Sequence, residues 1–237
     1  AYFTSFIGLM GIVMAIGPIV GQHFGAKRLR EAGLQLHQAV WVALMVALPG
    51  VLLLLWPEPY MHLARLPAPI EAKARTYLAV LAFALPASLL FSAWRGFTTA
   101  VSRPRIVMAF QMVALTVKVP LSVLLIHGAP SLGLPALGMV GCAVATLIVM
   151  WGQAFAAWWV LRHDPFYDTF GLRSEPLHRP DKAAIWAQLR LGVPMGAGLL
   201  IEVSGFTMMA IFIARLGTTA VAGQQIAANL AADAPYR

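Results

Sequence analysis

The chain has 237 residues, of which 60% are hydrophobic and only 11% charged, and its mean hydropathy is +0.77. Charge at less than half the ~25% of a soluble domain excludes an ordinary soluble globular protein and defines an all-α polytopic membrane protein. The net charge of +8 does not make a nucleic-acid binder, because long apolar runs separate the basic residues, and a lone cysteine, Cys142, excludes a disulfide framework within the chain or a multi-cysteine metal site.

At about 20 apolar residues per bilayer crossing, spans are expected at 1–24, 38–56, 74–99, 106–127, 138–161 and 189–216. A partial one follows from 218 to the end, giving about six full transmembrane helices plus a partial one. The chain opens on Ala1 without Met, enters a helix directly with no signal peptide, and loses hydrophobicity at Asp233. A piece of a larger protein is therefore expected.

Short cytoplasmic loops retain Lys and Arg during insertion. Alternate connections place Lys27, Arg28, Arg30, Arg103, Arg105, Arg162, Arg173, Arg179, Lys182 and Arg190 on one side, and Arg65, Lys73, Arg75 and Arg215 on the other. The first set is expected to face the cytoplasm of a bacterial inner (plasma) membrane. Residues 162–188 contain the only long polar insertion and read as a cytoplasmic linker between two bundles. The loop 57–73 carries Glu58 and His62, two lone candidates too few for a metal site.

On a helix, positions three and four apart share a face. The first span has a small and polar stripe of Thr4, Gly8, Gly11, Ala15, Pro18 and Gln22. The third has Ser88, Ser92, Arg95 and Thr99; the fourth Gln111, Ala114, Lys118 and Ser122; the fifth Gly138, Cys142, Thr146 and Gln153. Glu202 joins Pro194, Gly198, Gly205 and Met209 on such a stripe. Small residues alone are explained by close helix packing. The ionisable groups are not, since each costs at least about 2.5–3.5 kcal/mol at membrane depth.

Arg95 lies nearest a cytoplasmic end, where it can snorkel, whereas Lys118 and Glu202 lie deeper. Those two suit either a structural ion pair or a water-accessible cavity in which Glu202 takes up and releases a proton or a cation. Burial disfavours a carboxylate's charge and a nearby Lys favours it, so a group held between them can couple ion movement to cargo. Pro194 would free backbone carbonyls to line such a site.

No nucleophile with a base, metal constellation, HExxH, GxSxG or P-loop pattern occurs within the spans, so an enzyme is not expected, nor is a cofactor. No repeated selectivity element marks a channel. Solute carrier is the favoured class, with a non-transporting structural membrane subunit as the alternative.

Four stretches in order resemble the MATE (multidrug and toxic compound extrusion) family: MAIGPIVGQHFGAKR at 14–28, RGFTTAVSRPRIVM at 95–108, LGMVGCAVAT at 137–146, and the run from LGVPMGAGLLIEVSGF at 191 to Leu230. The resemblance implies twelve helices in two six-helix lobes and antiport of H+ or Na+ against small organic, often cationic, drugs. It divides the chain into a first lobe at 1–161 (family helices 2–6), the linker 162–188, and the start of a second lobe at 189–237 (helix 7 and a truncated helix 8). On this likeness Glu202 occupies the family's coupling carboxylate position, and Gln224, Gln225 and Asn229 its eighth-helix polar motif. Lys118 and Ser122 stand where the family commonly has Asn, which points from Na+ toward H+. Ion coupling is thus expected at Glu202 and Lys118, and a substrate cavity at Ser122, Gln111, Thr146, Met209, Gln224, Gln225 and Asn229. The expected partners are the lipid bilayer and small organic substrates, with no nucleic acid, in a carrier that is monomeric at full length. This chain alone is expected to be an inactive fragment. A lipid-linked saccharide flippase of the same superfamily is the nearest rival.

Overall fold

The computed structural model describes residues 2–56, 68–128, 138–172 and 177–214. Every regular element among them is helical: α1 (Tyr2–Met14), α2 (Ile16–Gly25), α3 (Leu29–Leu55), α4 (Ala68–Ala100), α5 (Pro104–His127), α6 (Met139–His163), a 3₁₀ turn (Pro165–Phe170) and α7 (Lys182–Ala214). Apolar chain at membrane depth has no water to bond its backbone, and a helix satisfies those groups within itself. Six stretches are long and apolar enough to cross a membrane: Phe6–Gly25, Leu29–Leu55, Ala74–Ala100, Pro104–His127, Val140–His163 and Lys182–Phe206. The partial span expected after residue 218 lies outside the described residues, as does most of the loop 57–73.

The first span is broken at Ala15, between α1 and α2. Pro18 offers no N–H to the carbonyl of Met14, and its ring crowds that carbonyl, which is the usual cause of such a break. The two tight turns that follow α2 and α4 share one design. Lys27 and Ser102 take left-handed φ of 59° and 63°. Arg28 N then donates to His23 O at 2.9 Å, and Arg103 N to Thr98 O at 3.0 Å. Each is a left-handed cap that satisfies the last helix carbonyls. Each also leaves an arginine at the mouth of the next helix.

α4 is the central helix, packed most extensively on α6 and α3, while α1 lies along α7. The core joins Ile16 and Val20 to Leu36 and Val42 of α3, and Leu85, Leu89 and Phe97 of α4. α5 contributes little to it, with only Val107 and Leu125 buried, and packs chiefly on α6.

The polar segment after α6 is docked onto the bundle rather than strung across solvent. Tyr167 and Phe170 of the 3₁₀ turn are 0% and 2% exposed. Phe170 meets Phe97 edge-on at 5.4 Å between ring centroids, and Gly33 of α3 accommodates the Phe170 carbonyl so closely that no Cβ would fit there. Beyond it, Ala183 N donates to Asp181 Oδ1 at 3.0 Å, a side-chain cap that starts α7 at Lys182. The helix therefore begins well before the expected residue 189.

Candidate functional site: a cationic cavity at mid-bundle

Two of the small and polar stripes meet on one space. Ser88, Ser92 and Arg95 of α4 face Gln111, Ala114 and Lys118 of α5 across a cavity of about 360 Å³, which Gln153 of α6 completes. Helical spacing produces this directly, since residues at i, i+4 and i+7 stack on one face. The two serine hydroxyls do not point their donors into the space: Ser88 Oγ donates to Leu85 O at 2.7 Å, and Ser92 Oγ to Ser88 O at 2.8 Å. What faces the cavity as hydrogen-bonding chemistry is therefore two cations and two amides. Phe6, Met10, Phe91 and Met150 form apolar wall.

Arg95 does not snorkel to the helix end. Its guanidinium turns sideways, with Nη2 at 4.0 Å from Met10 Sδ and 3.8 Å from Met14 Sδ. On its other side lies a second cavity of about 550 Å³, bounded by Gly17, Pro18, Thr99 and Met195, so Arg95 and Gln111 belong to both. A weakly hydrated guanidinium tolerates thioether sulfur better than an ammonium would.

The other expected site residues are placed as follows. Ser122 is half-buried one turn beyond Lys118, outside the residues lining these cavities. Thr146 Oγ1 donates to Cys142 O at 2.9 Å within its own helix, also away from the cavity. Glu202 and Met209 are exposed on α7. Gln224, Gln225 and Asn229 lie outside the described residues. Lys118 and Glu202 make no ion pair with each other, and α5 and α7 share no substantial contact.

α7 divides its glycines between two sides. Gly192 and Gly196 are pressed against α1: a Cβ on Gly196 would stand 2.6 Å from Gly8 O, and one on Gly11 would stand 2.7 Å from Gly196 Cα. Gly198 and Gly205 have nothing within 4 Å of where a Cβ would be. Glu202 shares their open face. The Gly8 and Gly11 stripe of the first span is thus a packing seam, and the stripe around Glu202 is uncovered among the described residues.

Sequence reasoning missed a third feature, at the basic end. The Gln38 side chain brackets the strap before α7, its Nε2 donating to Arg179 O at 3.1 Å and its Oε1 accepting from Asp181 N at 2.8 Å. Trp41 Nε1 donates to His178 O at 3.0 Å. His37 and His178 stack at 5.1 Å with their Nδ1 atoms 3.0 Å apart. Gln188 Nε2 donates to Gln35 O at 3.0 Å. The available signal was a cluster of polar residues, Gln35, His37 and Gln38, entering an apolar helix with no solvated partner of their own. No group of three His, Cys, Asp or Glu that could hold a metal occurs among the described residues.

Membrane-length helices closing around a polar, charged space at mid-span define a multi-pass membrane protein built on an internal cavity. The MatE family matches residues 1–124, and the chain belongs to that family. It is 42% identical over 233 residues to the "Probable multidrug resistance protein NorM" of Aromatoleum aromaticum, covering 98% of this chain and 49% of the relative. To the "Multidrug resistance protein NorM" of Vibrio cholerae it is 32% identical over 234 residues, covering 96% and 49%. The MATE transporter NorM-NG, solved in complex with a small-molecule substrate and a monobody, superposes with a TM-score of 0.74 at 28% identity over 98% of this chain and 50% of that one. The eukaryotic MATE transporter AtDTX14 shares the fold, with a TM-score of 0.75 at 18% identity over 89% of this chain and 45% of that one. The chain spans about half the length of the curated relatives it matches. Its membrane-length helices and bacterial kin place it in the inner membrane.

Proposed function

We propose that the protein is a secondary active antiporter, not an enzyme, that exports small organic compounds, drugs among them, in exchange for H+, with Na+ as the other candidate ion. The observation that carries this is a charged, amide-lined cavity inside a bundle that matches multidrug resistance proteins over 98% of its length. A charge at membrane depth that is not a packing device marks a solute or ion pathway. In carriers of two lobes, substrate and ion sites sit near the bilayer midplane, and rocking of the lobes exposes them to each side in turn. Glu202 is the coupling group in this reading: it lies on the open glycine face of α7, accessible to an ion rather than locked in a pair. NorM-NG was solved with a small-molecule substrate bound, which supports a drug-sized organic cargo here. The modest size of the cavity, about 360 Å³, favours such molecules over a lipid-linked saccharide.

The test is proton-linked export by the whole protein in proteoliposomes. Glu202→Gln is expected to abolish drug-driven proton release while leaving membrane insertion intact. Unchanged antiport in that variant would remove Glu202 from the mechanism.

A further inference from the structure

We propose that the cavity enclosed by α1, α4, α5 and α6 selects organic acids: amphiphilic molecules whose carboxylate is held by Arg95 and Lys118 and whose apolar body rests on Phe6, Met10, Phe91 and Met150. This deepens, and rests on, the carrier function proposed for the same cavity. The charge inventory of the space is one-sided. Arg95, Lys118, Gln111 and Gln153 line it, and neither it nor the adjoining cavity is lined by an aspartate or glutamate. Among the described residues neither Arg95 nor Lys118 has a carboxylate partner, and the nearest polar atoms recorded for the Arg95 guanidinium are the two thioether sulfurs. Half-buried cations without a counter-ion leave charge-assisted donors open, and a carboxylate satisfies them with hydrogen bonds roughly twice as strong as neutral ones. An ammonium ligand in the same place would meet two like charges, which disfavour it by the same electrostatics.

The two cations also stand at different depths. Arg95 lies about 7 Å of helix rise from the end of α4 at Ala100, and Lys118 about 21 Å from the start of α5 at Pro104, both ends belonging to the basic face of the bundle. An acid arriving from that face meets Arg95 first, and Lys118 deeper. Gln111, which lines both cavities, stands beside the route and can donate to either oxygen or accept from a hydroxyl.

The experiment compares two near-isosteric probes, naphthylacetate and naphthylmethyl-trimethylammonium, by equilibrium binding to the whole protein in nanodiscs. The acid is expected to bind at least about tenfold tighter than the ammonium. Arg95→Gln and Lys118→Gln should each weaken acid binding by about tenfold without weakening ammonium binding, while Arg95→Lys and Lys118→Arg retain most of it. Lys118→Glu should invert the preference toward the ammonium, a gain that misfolding cannot produce. Binding blind to the sign of the ligand, or acid binding unaffected by both glutamine variants, overturns the proposal. Export is read separately. Acid-selective binding with no ion-linked export of any compound would overturn the carrier function and not this site; ion-linked export with charge-blind binding would overturn this site alone.

Discussion

Arg103 Nη1 lies 2.7 Å from Asp164 Oδ2, joining the turn that begins α5 to the residue that ends α6. The same carboxylate accepts from Phe166 N at 3.0 Å through its other oxygen, and the Arg103 guanidinium covers the Phe166 ring at 3.9 Å from its centroid. One aspartate thus serves both as an ion-pair partner and as the cap of the 3₁₀ turn. A partly exposed pair of this kind adds little alone, but the ring contact and the shared carboxylate raise it. Arg103→Gln is expected to lower stability by about 1–2 kcal/mol in thermal unfolding of the purified protein, with Arg103→Lys costing less. No loss in Arg103→Gln would show that the turn docks through its aromatic residues alone.

Gly11→Ala tests the seam between the first and last described helices. The added Cβ would stand 2.7 Å from the Cα of Gly196, and backbone cannot rotate out of the way as a side chain can. The helices must separate, so a loss of about 1–3 kcal/mol is expected. Gly198→Ala, with nothing within 4 Å, should be close to neutral. Equal effects in the two variants would contradict the assignment of packing and open faces on α7.

Tyr167 supplies a pH dependence. Burial holds its phenol above the ordinary tyrosine value of 10.0, and nearby Asp164 adds to the rise, while a hydrogen bond with Thr98, whose hydroxyl is 3.3 Å away, and the charge of Arg103 oppose it. Since the folded value lies above the unfolded one, its contribution to stability is fully present below pH 10.0. It is lost as pH rises through the folded value. Tyr167→Phe is expected to remove that step from a plot of stability against pH. An unchanged alkaline slope would place the sensitive group elsewhere.

Gln38→Leu removes a side chain that pairs with backbone on both sides of Pro180. Arg179 and Asp181 are exposed, so water takes over part of the pairing and the cost is expected to be only about 1–2 kcal/mol. The sharper readout is hydrogen exchange at the Asp181 amide, which should accelerate by about tenfold or more. Exchange at the wild-type rate would mean that Trp41 and the stacked His37 and His178 hold the strap without it.

Much of the cavity was legible before any coordinates. The stripes Ser88, Ser92, Arg95 and Gln111, Ala114, Lys118 come from helical periodicity, and the structure brings both to one space with Gln153. The same periodicity misassigned Gly8 and Gly11, because a stripe of small residues has one spacing whether it lines a cavity or admits a neighbouring backbone. Thr146 was grouped with a polar face for its hydroxyl, which is spent on its own helix at Cys142. The early start of α7 was hidden because Lys182, Trp186 and Arg190 keep hydropathy low there, while the aspartate cap at Asp181 fixes the boundary by a single hydrogen bond.

Composition and hydropathy by themselves determined that the chain is a membrane bundle, where its spans fall and which connections carry positive charge, since each follows from transfer of local segments into a bilayer. Four short motifs determined the family. Only the tertiary structure decided that Arg95 turns into the cavity instead of toward the membrane surface, that Lys118 and Glu202 do not meet, and that the segment after α6 is packed as core. Those outcomes depend on which faces of distant helices come together, and a residue's spacing along its own helix fixes its face but not the neighbour that face will meet.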